Sequence, residues 1–226
     1  MGRSALVAGA SGLVGQQVVA RLLRDPAYTQ VRVLARRPLA VSHPQLTVAI
    51  TDFSDLASLG ATLAVDDVFC CLGTTLRTAG SRAAFEDVDY RIVVELARLS
   101  HAAGAQQFLV ISAVGASERS LAFYSRVKGR MEAAVANIGF AALHILRPSL
   151  LLGERQEFRR GEALAQRFAP LLAKLTAGPL QRYRPVQADE VAEAMLRIAL
   201  RGERGVHVHH LPLPDDSNGG EGQGDD

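Results

Sequence analysis

The stretch ALVAGASGLVGQQVV, residues 5–19, decides the fold. An apolar β-rich run leads straight into three glycines, Gly9, Gly12 and Gly15, and a segment of helical apolar period follows. A glycine at the end of a strand permits a tight turn. A second lets the backbone approach an anion, and a third lets helix and strand pack closely while the helix N-terminus points its amides at the same place. Glycine triplets alone are weak signals; strand, turn and helix in this order are the setting that gives them meaning. The reading is a phosphate-binding turn opening a βαβ unit, in which Gly9, Ser11, Gly12, Leu13, Val14 and Gly15 present backbone to a dinucleotide. The competing reading is a plain turn.

Outward from this unit the alternation continues to about residue 150. Strand-like runs at 3–9, 30–36, 46–50, 67–73, 107–113 and 142–149 alternate with helix-period segments at 13–24, 54–59, 83–103 and 121–138, and Gly104 stands where a helix C-cap would. Such alternation predicts an α/β fold with a doubly wound parallel sheet. Beyond 150 the pattern changes: a helical run is interrupted at Pro170, Gly178 and Pro179 follow, and RYRPV (182–186) reads as a connection or short strand. Residues 188–201 form an amphipathic helix pattern with acids in the first turn and arginine in the last, and 205–212 a last strand. Residues 1–214 therefore read as one domain and the acidic, Gly-rich 215–226 as a disordered tail.

Bulk composition narrows the function classes. At 226 residues and 48% hydrophobic, the chain can bury a core as a single domain. A net charge of +2, without a long basic run, argues against nucleic acid and against a membrane surface. No apolar stretch reaches the roughly 18 to 20 residues that span a bilayer. Cys70 and Cys71, adjacent in a strand-like run, face opposite sides and cannot easily bridge. Reduced thiols and the absence of a signal-peptide pattern give a cytoplasmic expectation.

The remaining strand ends suggest how a cofactor lies. Many NAD sites carry an acid after the second strand; here Arg36 and Arg37 stand there, suited to a 2′-phosphate, so NADP(H) is favoured over NAD(H), unless the pair only solvates a loop. Asp52 and Phe53 offer a carboxylate and an amide near an adenine, or Asp52 or Ser54 caps a short helix. Leu72, Gly73, Thr74 and Thr75 follow the fourth strand, where Gly73 admits the cofactor and the threonines reach phosphate or ribose.

The ordered set GASGLVG (9–15), CCLGTT (70–75), VISAVGAS (110–117), YSRVK (124–128) and LRPSLLLGERQE (146–157) resembles the short-chain dehydrogenase/reductase superfamily. Within it the likeness is to the compact, atypical branch of Tat-interacting-protein-like NAD(P)H-binding proteins, over residues 4–200. The resemblance implies a Rossmann sheet of six or seven strands with a small substrate-covering part at about 150–187. It implies catalytic Ser112, Tyr124 and Lys128, and an Arg147–Pro148 loop beside the nicotinamide. In one departure, Asp89 stands where many members carry an asparagine that orders a proton-relay water. Helices 83–103 and 121–138 form a dimer face in many relatives, which leaves homodimer and monomer both open.

Tyr124 and Lys128 are one helical turn apart and share a face, a spacing that ordinary helices also show. A free tyrosine, with a pKa of about 10, is a poor proton carrier at neutral pH, but an ammonium and a positive nicotinamide favour the phenolate. Tyr124 would then exchange the substrate proton, Lys128 would tune it and hold the ribose, and Ser112 would hold the substrate oxygen. The alternative for Ser112 is a strand-end hydroxyl bonded to backbone.

The expected function is an NADP(H)-dependent oxidoreductase acting by hydride transfer on a small carbonyl or alcohol. The short segment after residue 150 supports a small substrate. Arg155, Arg159 and Arg160 either attract an anionic group or solvate a helix start. The second class is an NAD(P)H-binding sensor with little or no catalysis that contacts a partner protein. His207, His209 and His210 are not expected to bind metal, because a strand would split them between two faces. Met131 reads as core.

Overall fold

The computed structural model describes residues 2–149, 151–152 and 185–213. β1 (Arg3–Ala8) is buried over its last four residues and pairs in parallel with β2 (Tyr28–Ala35) on one side and β4 (Asp67–Cys70) on the other. A strand covered on both faces reads as an unbroken apolar run, as ALVA does. β3 (Leu46–Ile50), β5 (Gln107–Ile111), β6 (Ala142–Arg147) and β9 (Gly205–His210) extend the sheet to seven parallel strands in the order β3-β2-β1-β4-β5-β6-β9. The order reverses between β1 and β4. In an open α/β sheet the crevice beyond the carboxyl ends of such neighbours is where ligands bind. β7 (Leu151–Leu152) and β8 (Val186–Gln187) form a separate parallel pair.

Two apolar layers cover the sheet. α1 (Leu13–Leu22) and α6 (Ala188–Arg201) bury Val14, Val18, Val191, Met195 and Ile198 on one face, and Arg21 of α1 pairs with Asp189 and Glu193 of α6. On the other face α4 (Ile92–Ala102) and α5 (Phe123–Ala136) bury Val93, Leu96, Met131 and Val135. Cys70 packs into this second layer and Cys71 against the first, so the adjacent thiols do face opposite sides.

The helix expected over 83–103 is instead three pieces: α3 (Arg82–Glu86), a π-helical turn at Asp87–Arg91, and α4. At the turn the Ile92 amide reaches the Asp87 carbonyl five residues back, and Asp89 is buried there. α4 ends as expected at Gly104 (φ 101°), whose amide bonds His101 O while the Ala105 amide bonds Ser100 O, the paired closure of a left-handed C-terminus. The helix expected at 54–59 lies later, as a 3-10 segment at Ala57–Leu63 broken by Gly60. The side chain of Asp52 takes the Ser54 amide and that of Asp55 takes the Ser58 amide, which holds the preceding residues in turns. A short helix, α2 (Leu76–Ala79), has too few residues to show a period. The interrupted helical run after 152, Arg155, Arg159, Arg160 and the 215–226 tail lie outside the described residues.

At the amino ends of the strands Asp67 is buried and accepts from Tyr28 Oη (2.7 Å) and Arg3 Nη2 (2.5 Å), while Arg3 also reaches Gln107 Oε1 (3.2 Å). The carboxylate ties three strands directly, and Arg3 adds the fourth through Gln107 of β5. Burial pushes the Asp67 carboxyl above its usual range even though Tyr28 and Arg3 pull it back.

The three histidines of β9 split between two faces as the sequence predicts, but two of them meet a fourth histidine that the sequence reading did not place with them. The register pairs His144 of β6 with His207, and the two-residue side-chain period returns His209 to the same face. His144 is fully buried, its Nδ1 lies 3.1 Å from His209 Nε2, and its ring stacks on His207 at 5.1 Å. Burial, then the neighbouring imidazoles, push His144 down from 6.5 to about 4. Between those values the native state binds fewer protons than the unfolded chain, so this group's share of stability is lost as pH falls through that window. Thermal melts at stepped pH are expected to show Tm falling across it, with a flatter profile in His144→Leu; parallel profiles in the two proteins would refute the assignment.

Candidate functional site at the sheet switch point

α1 begins within van der Waals reach of the end of β1. Gly9 has φ 86°, and a Cβ there would meet Cys71 O at 2.5 Å; a Cβ on Gly15 would lie 2.2 Å from Gly9 O. Both are positions that only glycine fits. At Gly12 the nearest atom to such a Cβ is Gly9 O at 3.2 Å, and the Gly12 amide closes the turn on Gly9 O at 2.9 Å. Gly12 is the N-cap, no side chain caps the helix, and its first turn holds no acid. The leading amides of α1 are thus left for an anion, with the partial positive charge of the helix end behind them. Ser11 is exposed at the turn, Leu13 half-buried and Val14 buried.

From β4 the chain turns through Leu72, Gly73 and Thr74. A Cβ on Gly73 would stand 3.4 Å from Asp89 Oδ1 and 3.8 Å from Lys128 Nζ, so any larger residue would fill the space before the lysine. The Thr74 amide donates to Asp89 Oδ2 at 2.9 Å. Thr75 differs from the expectation: it is the N-cap of α2, its Oγ1 taking the Thr78 amide, so this hydroxyl is committed to the helix.

Lys128 is the centre of the cluster. It is 3% exposed, its Nζ lies 2.7 Å from Asp89 Oδ1, and it donates to Ile111 O at 3.2 Å. The contact with Asp89 Oδ1 is an ion pair rather than a well-aligned hydrogen bond. Burial pulls the Lys128 ammonium down, but Asp89, and next Tyr124, push it back so that it ends above its ordinary range. Next to Ile111, Ser112 is 3% exposed; its amide bonds Leu146 O, whereas its Oγ has no hydrogen-bond partner among the described residues. Among those residues the backbone does not satisfy this hydroxyl, as the alternative reading had it. An unpaired buried hydroxyl costs about 1–3 kcal/mol and needs a reason to persist.

Tyr124, one turn before Lys128 on α5, is 37% exposed, with its ring 5.4 Å from that of Phe85. Here the expected electrostatics are corrected. Burial pushes the phenol up, Lys128 pulls it down, and Asp89 pushes it up again, leaving it above the ordinary tyrosine value rather than below it. The ammonium that was to create a phenolate is already paired.

The other expected cofactor residues divide. Arg36 and Arg37 are exposed just beyond β2. Asp52 is exposed and engaged by the Ser54 amide and hydroxyl, and the Phe53 amide donates to Thr51 Oγ1, so both groups are occupied within their own turn. Phe53 has φ 67° and a buried ring. Arg147 grips Glu132 with two bonds, at 2.9 and 2.5 Å, and the Pro148 carbonyl takes the Val114 amide, joining the loops after β5 and β6. The two acids that hold the cationic groups, Asp89 and Glu132, were not assigned these roles from sequence. Glu132 carried a signal, since it lies four residues after Lys128 on one helix face; Asp89 was marked only by the resemblance, as a departure from a relay asparagine, and its pairing with Lys128 is set by the π turn. Among the described residues, no helix is long and apolar enough to cross a membrane.

A glycine turn with open amides, a strand end kept clear by Gly73 and an orphaned hydroxyl fit a dinucleotide and the group it reacts with. The family described as NAD(P)H-binding matches residues 9–168. Protein fmp52, mitochondrial, of Emericella nidulans is 34% identical over 204 residues, 87% of each chain. Protein HTATIP2 of Rattus norvegicus is 36% identical over 170 residues, 74% of this chain and 70% of that one. Among solved structures, the UDP-Glc/GlcNAc 4-epimerase of Campylobacter jejuni shares the fold with a TM-score of 0.68 at 15% identity, over 94% of this chain and 79% of its own. The matched span, the glycine turn at the switch point and these relatives together make the chain a member of the NAD(P)H-binding family, of the atypical short-chain dehydrogenase/reductase kind.

Proposed function

We propose that the protein is an NADP(H)-dependent oxidoreductase for a small carbonyl or alcohol, with Ser112, Tyr124 and Lys128 at its reacting end. The observation that carries this reading is the buried Ser112 Oγ, without a partner among the described residues, next to the residue whose carbonyl holds Lys128. A hydroxyl kept dry and unsatisfied is a donor waiting for an acceptor such as a substrate oxygen.

When bound, the nicotinamide supplies or accepts hydride at its C4. Ser112 donates to the substrate oxygen and holds it in line, and Tyr124 exchanges the proton with that same oxygen. Lys128 provides the fixed positive charge behind them and a donor for the ribose. Gly9, Ser11, Gly12, Leu13, Val14 and Gly15 face the pyrophosphate, Leu72, Gly73 and Thr74 the adjoining ribose, and Arg147 and Pro148 border the nicotinamide end. Arg36 and Arg37, exposed beyond β2, are the groups for a 2′-phosphate. Cytoplasmic residence belongs to the same proposal, because the free thiols Cys70 and Cys71 suit a reducing compartment.

Three measurements test this reading. In fluorescence titrations NADPH should bind more tightly than NADH, and Arg36→Glu with Arg37→Glu should erase the difference; equal affinity for both in the unaltered protein removes the 2′-phosphate assignment. Across a panel of small aldehydes and ketones, Tyr124→Phe should lower NADPH oxidation by about 100-fold or more with cofactor affinity unchanged. Absence of turnover on the whole panel before mutation would count against an enzyme. In fractionated cells the protein should stay with the soluble cytosolic marker, and recovery in the mitochondrial fraction would overturn the compartment.

A further inference from the structure

Asp89 enters the cluster from outside the three reacting residues, and its placement is costly. It is fully buried, carried on a π-helical turn, held by the Thr74 amide at 2.9 Å and set 2.7 Å from a lysine that is itself buried. Wide turns of this kind interrupt α-helices mostly at functional sites. Burying two charges together costs desolvation that their attraction only partly returns, so a pair like this is weak evidence for a stabilising role alone.

Its effect is electrical. Two charged groups act on the Tyr124 phenol, Lys128 from its own helix and Asp89 from the π turn, and the Phe85 ring of α3 packs against it; Cys70, at the end of β4, stands beside that ion pair. Burial pushes the Cys70 thiol up to about 11, so it brings no charge at neutral pH. Among the described residues this leaves one positive and one negative group beside the phenol, and they face each other.

We infer that Asp89 is a positioning residue for the proton donor: by clamping Lys128 it holds Tyr124 in the protonated form from which carbonyl reduction starts. The inference rests on the oxidoreductase reading. In reduction, hydride from the bound reduced nicotinamide would form the new C–H bond at the carbonyl carbon. Tyr124 breaks its O–H bond to protonate the substrate oxygen. The carbonyl is reduced to an alcohol, the nicotinamide is oxidised, and the phenolate left behind regains its proton from solvent. Oxidation would need Tyr124 deprotonated at the start, which the Asp89 carboxylate opposes.

The test needs no substrate. Phenolate absorbance of the full-length protein is titrated against pH, with Tyr124→Phe as the blank that isolates this tyrosine. Wild type should ionise later than free tyrosine. Asp89→Asn should lower the midpoint by about one unit or more, Lys128→Met should raise it, and Asp89→Glu should restore the wild-type value. A purely structural role would move the first two in the same direction or not at all, and either result overturns the inference. Should Asp89→Asn fail to fold with its lysine unpaired, Asp89→Asn/Lys128→Met is compared with Lys128→Met; a lower midpoint in the double variant is expected and an unchanged one is fatal. A protein that turns over no carbonyl yet passes this titration loses its proposed function while keeping the charge clamp. One that reduces carbonyls but fails the titration loses only the role of Asp89.

Discussion

Gly15 sits so near the end of β1 that a single added carbon would stand 2.2 Å from the Gly9 carbonyl oxygen. That approach gives α1 its start: the helix must begin on the strand end, with its open amides directed at the gap between β1 and β4. Gly9 is confined in turn by the Cys71 carbonyl beyond β4, so the two neighbouring strand ends and the helix N-terminus form one backbone-lined corner. Everything that reads as cofactor contact is arranged around it. The constraint is steric, and it would hold for any sequence that kept these glycines and the apolar strand before them.

Charge is handled differently at the two ends of the sheet. At the amino ends Asp67 is enclosed by Tyr28 and Arg3 within a hydrogen-bond network that ties β1, β2, β4 and β5. There the carboxylate is fully used by structure. At the carboxyl ends Asp89 and Lys128 face each other beside a hydroxyl, Ser112 Oγ, that has no partner among the described residues. The first network leaves an orphan only at its edge, Gln107 Nε2, whereas the second leaves one next to its ion pair, where a bound group could meet it. A buried polar group without a partner carries a cost that packing does not recover.

Much of this was legible in residues 5–19, because glycine's missing side chain and the switch from a two-residue to a helical period are local properties. The doubly wound parallel sheet followed from the alternation of β-rich and helix-period runs, and β1, β3 and α6 lie within a residue of where those runs put them. Boundaries failed where the local signal was weak. α2 is a single turn, and the 3-10 segment was displaced by the Asp52 and Asp55 turns.

What the chain by itself determined is the set of positions whose demands are local: the glycines that alone fit the turn, the apolar strands, and the single helix face shared by Tyr124 and Lys128. What tertiary structure decided is which charges and rings meet. His144 joined His207 and His209 only through the register of β6 with β9, and Asp89 reached Lys128 only through the π turn. Such meetings depend on chain segments 39 to 65 residues apart coming together, and on desolvation that exists only once they have. That is why the direction in which the Tyr124 phenol is shifted was misread from its neighbours in sequence and became clear from its neighbours in space.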